Sequence, residues 1–247
     1  MKFQSTRGLE RDVKSAEGII RGIAKDGGLF VPDSFPNLYE TLKKDKGLSY
    51  EELAFKIIKE FFTDIDENEL RGAIDEAYNN RFKPELNKNY LELYHGPTCA
   101  FKDAALLFLP QIMKRAKNSL GVDEEIVILT ATSGDTGKAA LEGFSSVDGF
   151  KVVVYYPKNG VSAIQERQMA TQEGDNVKVF GIKGNFDNAQ TGVKKIFGDE
   201  RLKEELKKNE IAAMKARDKA TVNVLRLVNS EIKAFEVNER KRSEEHT

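Results

Sequence analysis

Residues 125–157 read EIVILTATSGDTGKAALEGFSSVDGFKVVVYYP. Two apolar, β-branched runs, EIVILT at 125–130 and KVVVYYP at 151–157, bracket a glycine-bearing turn and a helical pattern from Lys138 to Phe144. Uninterrupted runs of this kind predict strands covered on both faces, as in a parallel sheet. The rhythm continues with a helix over about 163–171, a third strand, NVKVFGI, at 176–182, and a helix in DNAQTGVKKIF at 187–197. Strand and helix alternating at this spacing predict an α/β fold, a parallel sheet with helices on its faces. Right-handed crossovers are the expected connections.

Ligands of parallel sheets gather beyond the carboxyl ends of the strands. The segment in that place after EIVILT is ATSGDTGK, residues 131–138. Gly134 and Gly137 let a backbone come close to a ligand, Thr132, Ser133 and Thr136 offer hydroxyls, and the start of the next helix offers N–H groups to an anion. It is not a Walker A loop: Thr132 stands where the first glycine is required, and Ala139 follows the lysine where Ser or Thr is required. A Rossmann glycine pattern is also absent. A plain tight turn with a helix cap would account for one Gly and one Ser or Asp.

Working toward the N-terminus, residues 94–109 read YHGPTCAFKDAALLFL, and YLELY at 90–94 could be a short strand leading into them. Lys102 sits at the head of a mostly apolar helical pattern. A lysine there can lay its stem on the surface and send its amine to water. The HGPT turn offers a second reading, in which the helix start lies at a strand end beside the one carrying TSGDTG. Lysine and anion-binding loop would then face one crevice. A crevice amine of lowered proton affinity is what a Schiff base with an aldehyde cofactor requires. His95 and Cys99, four apart, could form a nucleophile pair, but no third orienting residue is identifiable. The only other histidine is His246, so a His-rich metal site is unavailable, and no all-carboxylate site has a recognisable spacing.

Residues 1–90 read as mainly helical with loops. GLSYEELAFKIIKEFF (47–62) carries a capping-box spacing, Ser49 and Glu52, ahead of an apolar face of Leu53, Ile57 and Phe61 with Ile58 and Phe62. DENELRGAIDEAYNNRF (66–82) places Leu70, Ile74 and Tyr78 four apart, and DGGLFVPDSFP (26–36) is turn-rich. The chain has 247 residues, enough for one or two domains, and its 39 Lys+Arg nearly cancel 40 Asp+Glu. That balance gives no general attraction to nucleic acid or acidic membranes. A single Cys forms no internal disulfide and fits a reducing compartment. No apolar run approaches the ~18 residues of a membrane span, and MKFQSTRGLE has no signal-peptide core. A soluble, cytoplasmic protein is expected.

HGPTCAFKDAAL (95–106) and TATSGDTG (130–137) resemble the signature segments of threonine synthase, a pyridoxal-phosphate (PLP) enzyme of the tryptophan-synthase β-like fold, fold type II. STRG (5–8), GIAKDGGLFVP (22–32) and IKGNFDNAQ (182–190) resemble the same family, so the likeness runs over about residues 1–206. It implies an N-terminal helical region at 1–90 and a small PLP-binding α/β domain at 91–206. It implies that Lys102 carries PLP, with Phe101 and Asp103 beside the cofactor. Thr132, Ser133, Gly134, Asp135, Thr136 and Gly137 would hold the substrate carboxylate. The implied reaction converts O-phosphohomoserine and water into threonine and phosphate. The resemblance also implies a truncated enzyme, lacking the second half that grips the cofactor phosphate and faces the pyridine nitrogen, with little or no turnover of its own.

Beyond DERLKEELKKN (199–209) the likeness stops. Residues 207–241 form a charged helical pattern with an apolar stripe of Leu225, Val228, Ile232 and Phe235. This stretch resembles the start of the GatB/YqeY helical family, associated with tRNA amidotransferases, which implies the alternative of a non-catalytic interaction module. A helix packing its stripe on the preceding domain explains it equally well. Residues 242–247, RSEEHT, resemble a translated sequencing adapter and suggest a joined, non-native tail.

Overall fold

A computed structural model describes residues 1–45 and 47–198, with isolated helical positions between 201 and 215. The GatB/YqeY-like stretch and the 242–247 tail lie almost wholly outside the described residues.

The element order is β1 (Phe3–Ser5), α1 (Ser15–Arg21), β2 (Phe30–Pro32), α2 (Tyr39–Lys44), α3 (Tyr50–Ile58), α4 (Glu67–Tyr78), β3 (Glu85–Asn87) and β4 (Tyr90–Glu92). Then follow α5 (Asp103–Leu106), α6 (Phe108–Leu120), β5 (Ile126–Ala131), α7 (Asp135–Phe144), β6 (Phe150–Pro157), α8 (Ala163–Ala170), β7 (Val177–Ile182) and α9 (Phe186–Gly198). The expected capping box is present: Ser49 Oγ accepts the Glu52 N–H at 3.2 Å, and the Glu52 carboxylate accepts the Ser49 N–H at 2.9 Å. Asp66 caps α4 by its side chain alone, its Oδ1 taking the Asn68 N–H at 2.8 Å and the Glu69 N–H at 3.3 Å.

β5, β6 and β7 form the expected parallel sheet in that order, with Val152 opposite Ile128 on one side and Val177 on the other. The expectation of strands buried on both faces is not met. Val152 and Val154 of β6, two apart, lie on the buried face of the sheet, whereas Val127 of β5, Lys151 of β6 and Phe180 of β7 are exposed on the opposite face.

YLELY is a strand, but not of this sheet. β4 pairs antiparallel with β3 in a separate hairpin, Glu85 opposite Glu92 and Leu86 opposite Leu91. A second two-stranded pair joins β1 to β2. The lysine segment therefore does not arrive at the carboxyl edge of the sheet as the end of a neighbouring parallel strand. Helix packing brings it there.

Two apolar clusters hold the molecule together. One gathers Phe55, Leu70, Ile74, Tyr78 and Phe82 from the N-terminal helices with Leu107, Ile112 and Ala116. The other gathers Met113, Leu141, Phe144, Phe150, Val152, Val154 and Met169 under the sheet. Ile112 and Met113 are adjacent in α6 and face different clusters, so this helix lies between them.

Candidate active site

At the carboxyl end of β5 the chain turns sharply into α7, and Thr132 organises the turn. Its buried hydroxyl oxygen accepts the N–H of Gly134 at 3.0 Å and of Gly137 at 2.9 Å, and its hydroxyl donates to the Gly134 carbonyl at 3.2 Å. Gly137 is required by that packing, since a Cβ there would lie 2.4 Å from Thr132 Cγ2. Gly134 takes φ 147° and lies under the Gln165 side chain, 2.5 Å from where its Cβ would be. Thr132 and the two glycines are thus spent on the shape of the turn. Ser133, Asp135 and Thr136 are the exposed members of the loop. Lys138 is committed elsewhere: its amine bonds to Glu142 at 3.2 Å and to Gln172, and Arg81 reaches the other oxygen of Glu142 at 3.3 Å. An amine held in that way is not a phosphate-cradling one.

Lys102 is half-buried on the residue that opens α5, with its amine 4.7 Å from the centre of the exposed Phe101 ring. Asp103 faces inward. Its Oδ1 accepts the Thr98 hydroxyl at 2.6 Å and its Oδ2 the Thr98 N–H at 2.9 Å, which fixes the HGPT turn against the helix start. Burial is the main influence on this carboxyl and pushes its pKa above the usual carboxylate range, against the two Thr98 bonds that lower it. Gly96 is the complement of that carboxylate, because a Cβ at 96 would meet Asp103 Oδ2 at 2.5 Å.

Two contacts bring the lysine turn and the loop together. α5 packs on α7 so closely that a Cβ on Gly143 would fall 1.9 Å from the Leu106 carbonyl oxygen. α8 then spans both segments: Gln168 Nε2 donates to the Thr98 carbonyl at 3.3 Å, and Gln165 Nε2 donates to Asp135 Oδ1 at 2.6 Å. Residues three apart on a helix lie on one face, separated by about 4.5 Å along the axis. One short helix thus touches both candidate segments. Nothing in the sequence marked these glutamines, because the Ser162–Gln165 capping box accounts for one of them by itself.

The Cys/His reading does not survive. His95 Nε2 is bonded to Glu92 at 2.7 Å, and Cys99 is exposed with a positive φ of 56°. The hairpin gathers Glu85, Glu92 and His95, groups of metal-binding type that sequence spacing did not reveal. Each already has a partner: Lys83 pairs with Glu85 at 3.1 Å, and Glu92 pairs with His95. Hydrogen bonds from Asn87 first, then His95 and Tyr94, hold the Glu92 carboxyl down to about 2.

Comparison with known proteins agrees with this geometry. Residues 2–78 match the family model for the threonine synthase N terminus. A threonine synthase of Pseudomonas aeruginosa is 39% identical over 210 residues, a match covering 81% of this chain and 44% of that protein. That of Eremothecium gossypii is also 39% identical, with coverages of 86% and 45%. Among solved structures, the PLP-bound threonine synthase of Brucella melitensis superposes with a TM-score of 0.74 at 35% identity, covering 81% of this chain and 45% of that one. The yeast threonine synthase gives 0.71 at 34% identity, with 81% and 44% covered. The fold is therefore that of the type II PLP enzymes, over a chain spanning less than half the length of the curated relatives it matches.

Proposed function

We propose that this chain carries the lysine-bearing part of a threonine synthase, with PLP attached at Lys102 and O-phosphohomoserine as substrate. The observation that carries the reading is α8, whose Gln168 and Gln165 join the Lys102 turn to the 132–137 loop. The residues fit the group: a half-buried amine flanked by an aromatic ring, and a glycine-shaped turn at a strand's carboxyl end with hydroxyls left exposed. PLP, when bound, supplies an electron sink for carbanions at Cα and Cβ of the substrate.

The chain's own residues do the rest. Lys102 Nζ would hold the cofactor and, when free of it, would carry protons. Ser133 and Thr136 offer hydroxyls to the substrate carboxylate, and the start of α7 offers N–H groups. Thr132, Gly134 and Gly137 keep that turn in shape, while Asp103 and Thr98 hold the HGPT turn against the start of α5. Phe101 places its ring beside the amine, 4.7 Å from it. The setting that goes with this reading is cytoplasmic, with a small molecule rather than nucleic acid as partner. Among the described residues no helix is long and apolar enough to cross a membrane. The GatB/YqeY alternative rests on residues outside those described.

Titrating the full chain with PLP and recording absorbance tests the reading. A visible band that forms weakly with the natural chain and is abolished by Lys102→Ala is expected, with little or no threonine formed from O-phosphohomoserine. A chain that develops no band, or develops it equally with Lys102→Ala, overturns the proposal.

A further inference from the structure

Asp135 occupies the first position of α7, where a negative charge is itself attracted by the helix start. An anionic ligand group arriving at the 132–137 loop would therefore compete with, and be repelled by, a carboxylate of the protein. The structure holds that carboxylate to one side. Gln165 Nε2 donates to Asp135 Oδ1 at 2.6 Å, the only hydrogen bond of the Asp135 side chain among the described residues. The amide is oriented for this by α8, since its oxygen accepts the Ser162 N–H at 3.1 Å and so its nitrogen faces Asp135. It also lies over Gly134, where any side chain would displace it. Meanwhile Thr132 takes the Gly137 N–H, which leaves the N–H groups of Asp135 and Thr136 at the open end of the helix.

We propose that Gln165 is a positioning residue that holds the Asp135 carboxylate away from the start of α7, so that an anionic group of the ligand can occupy the 132–137 loop. The inference rests on the functional reading above for the identity of that ligand. It assigns α8 a part in substrate affinity without contact between Gln165 and substrate. Gln168, one turn further along, anchors the same helix to the lysine turn, so the hold on Asp135 is fixed relative to Lys102.

The test is a cycle of variants of the full chain, PLP present, with O-phosphohomoserine binding measured by calorimetry. Gln165→Ala should weaken binding about tenfold, within the usual range of coupling between sites. Gln165→Glu should weaken it further, since it sets carboxylate against carboxylate. Adding Asp135→Asn to Gln165→Ala should restore binding, because the competing charge is gone. A purely structural role for Gln165 gives no such rescue. Unchanged binding in Gln165→Ala, or no recovery in the double variant, overturns the inference. Amide hydrogen exchange supplies a readout without ligand: in Gln165→Ala the released carboxylate should slow exchange at the Asp135 and Thr136 N–H groups, and Asp135→Asn should reverse this. If the natural chain binds neither PLP nor O-phosphohomoserine, the functional reading fails, and exchange alone decides the inference, unchanged rates refuting it.

Discussion

Asp103 shows how much a single buried charge can be asked to do. It has no exposed surface, and both its oxygens are taken by Thr98. Because burial raises its pKa in the folded state, its contribution to stability is complete below the unfolded value near 3.8 and is lost as pH rises through the raised folded value. Asp103→Asn removes the charge and can still accept the Thr98 N–H while its amide donates to the hydroxyl oxygen. Urea unfolding across pH 4 to 7 should therefore show Asp103→Asn gaining on the natural chain as pH rises. Asp103→Ala leaves buried Thr98 groups unpaired and should cost about 1–3 kcal/mol at every pH. At this scale the sequence was informative about Lys102, a charge at the head of an apolar pattern. It was silent about Thr98, whose value lies wholly in a partner that the turn supplies.

Helix contacts decide whether the two halves of the site meet. Gly143 lies where α7 touches the backbone of α5, and a methyl there would overlap the Leu106 carbonyl. Gly143→Ala must push α5 away from α7, and thermal denaturation should show a loss of about 3 kcal/mol, at the upper end of overpacking costs. The PLP band should fall with it. Gly192, in α9, has open space where a Cβ would go. There the same change should stabilise the chain by about 1 kcal/mol through helix propensity alone, a control that separates glycine chemistry from close approach. Elements long enough to show a period were legible: α4, α8, α9 and the three strands of the parallel sheet lie where the pattern placed them, whereas α3 starts at its expected cap but ends at Ile58 and buries Ala54 and Phe55 while Leu53 of the expected face is exposed. The three-residue strands β1, β2 and β3 carry no period to read, and β3 is polar apart from Leu86. The placement of β4 failed for that reason. Its partner was invisible, so the parallel sheet was taken as its home.

At the scale of the whole molecule, the exposed hairpin stands out. Leu86, Tyr90 and Leu91 remain 75%, 75% and 60% exposed on two paired strands. Exposed apolar surface gathered on a short two-stranded ribbon favours association. Light scattering of concentrated samples should show self-association that Leu86→Lys with Leu91→Glu reduces, with the circular dichroism unchanged. The fold was recognisable in the sequence and the site only partly so. The lysine and the loop each carry their own motif, whereas the hold on Asp135 exists only once α8 has packed.

α6 carries one further consequence. Ile112 and Ala116 sit in the cluster of the N-terminal helices, and Met113 sits under the sheet. Neither half can melt without stripping one side of a helix the other half still needs. Denaturant titration followed at both ends of the chain should therefore trace one shared, all-or-none transition. Met113→Ala, though it truncates a residue of the sheet's cluster, should lower the midpoint of the helical half by the same amount.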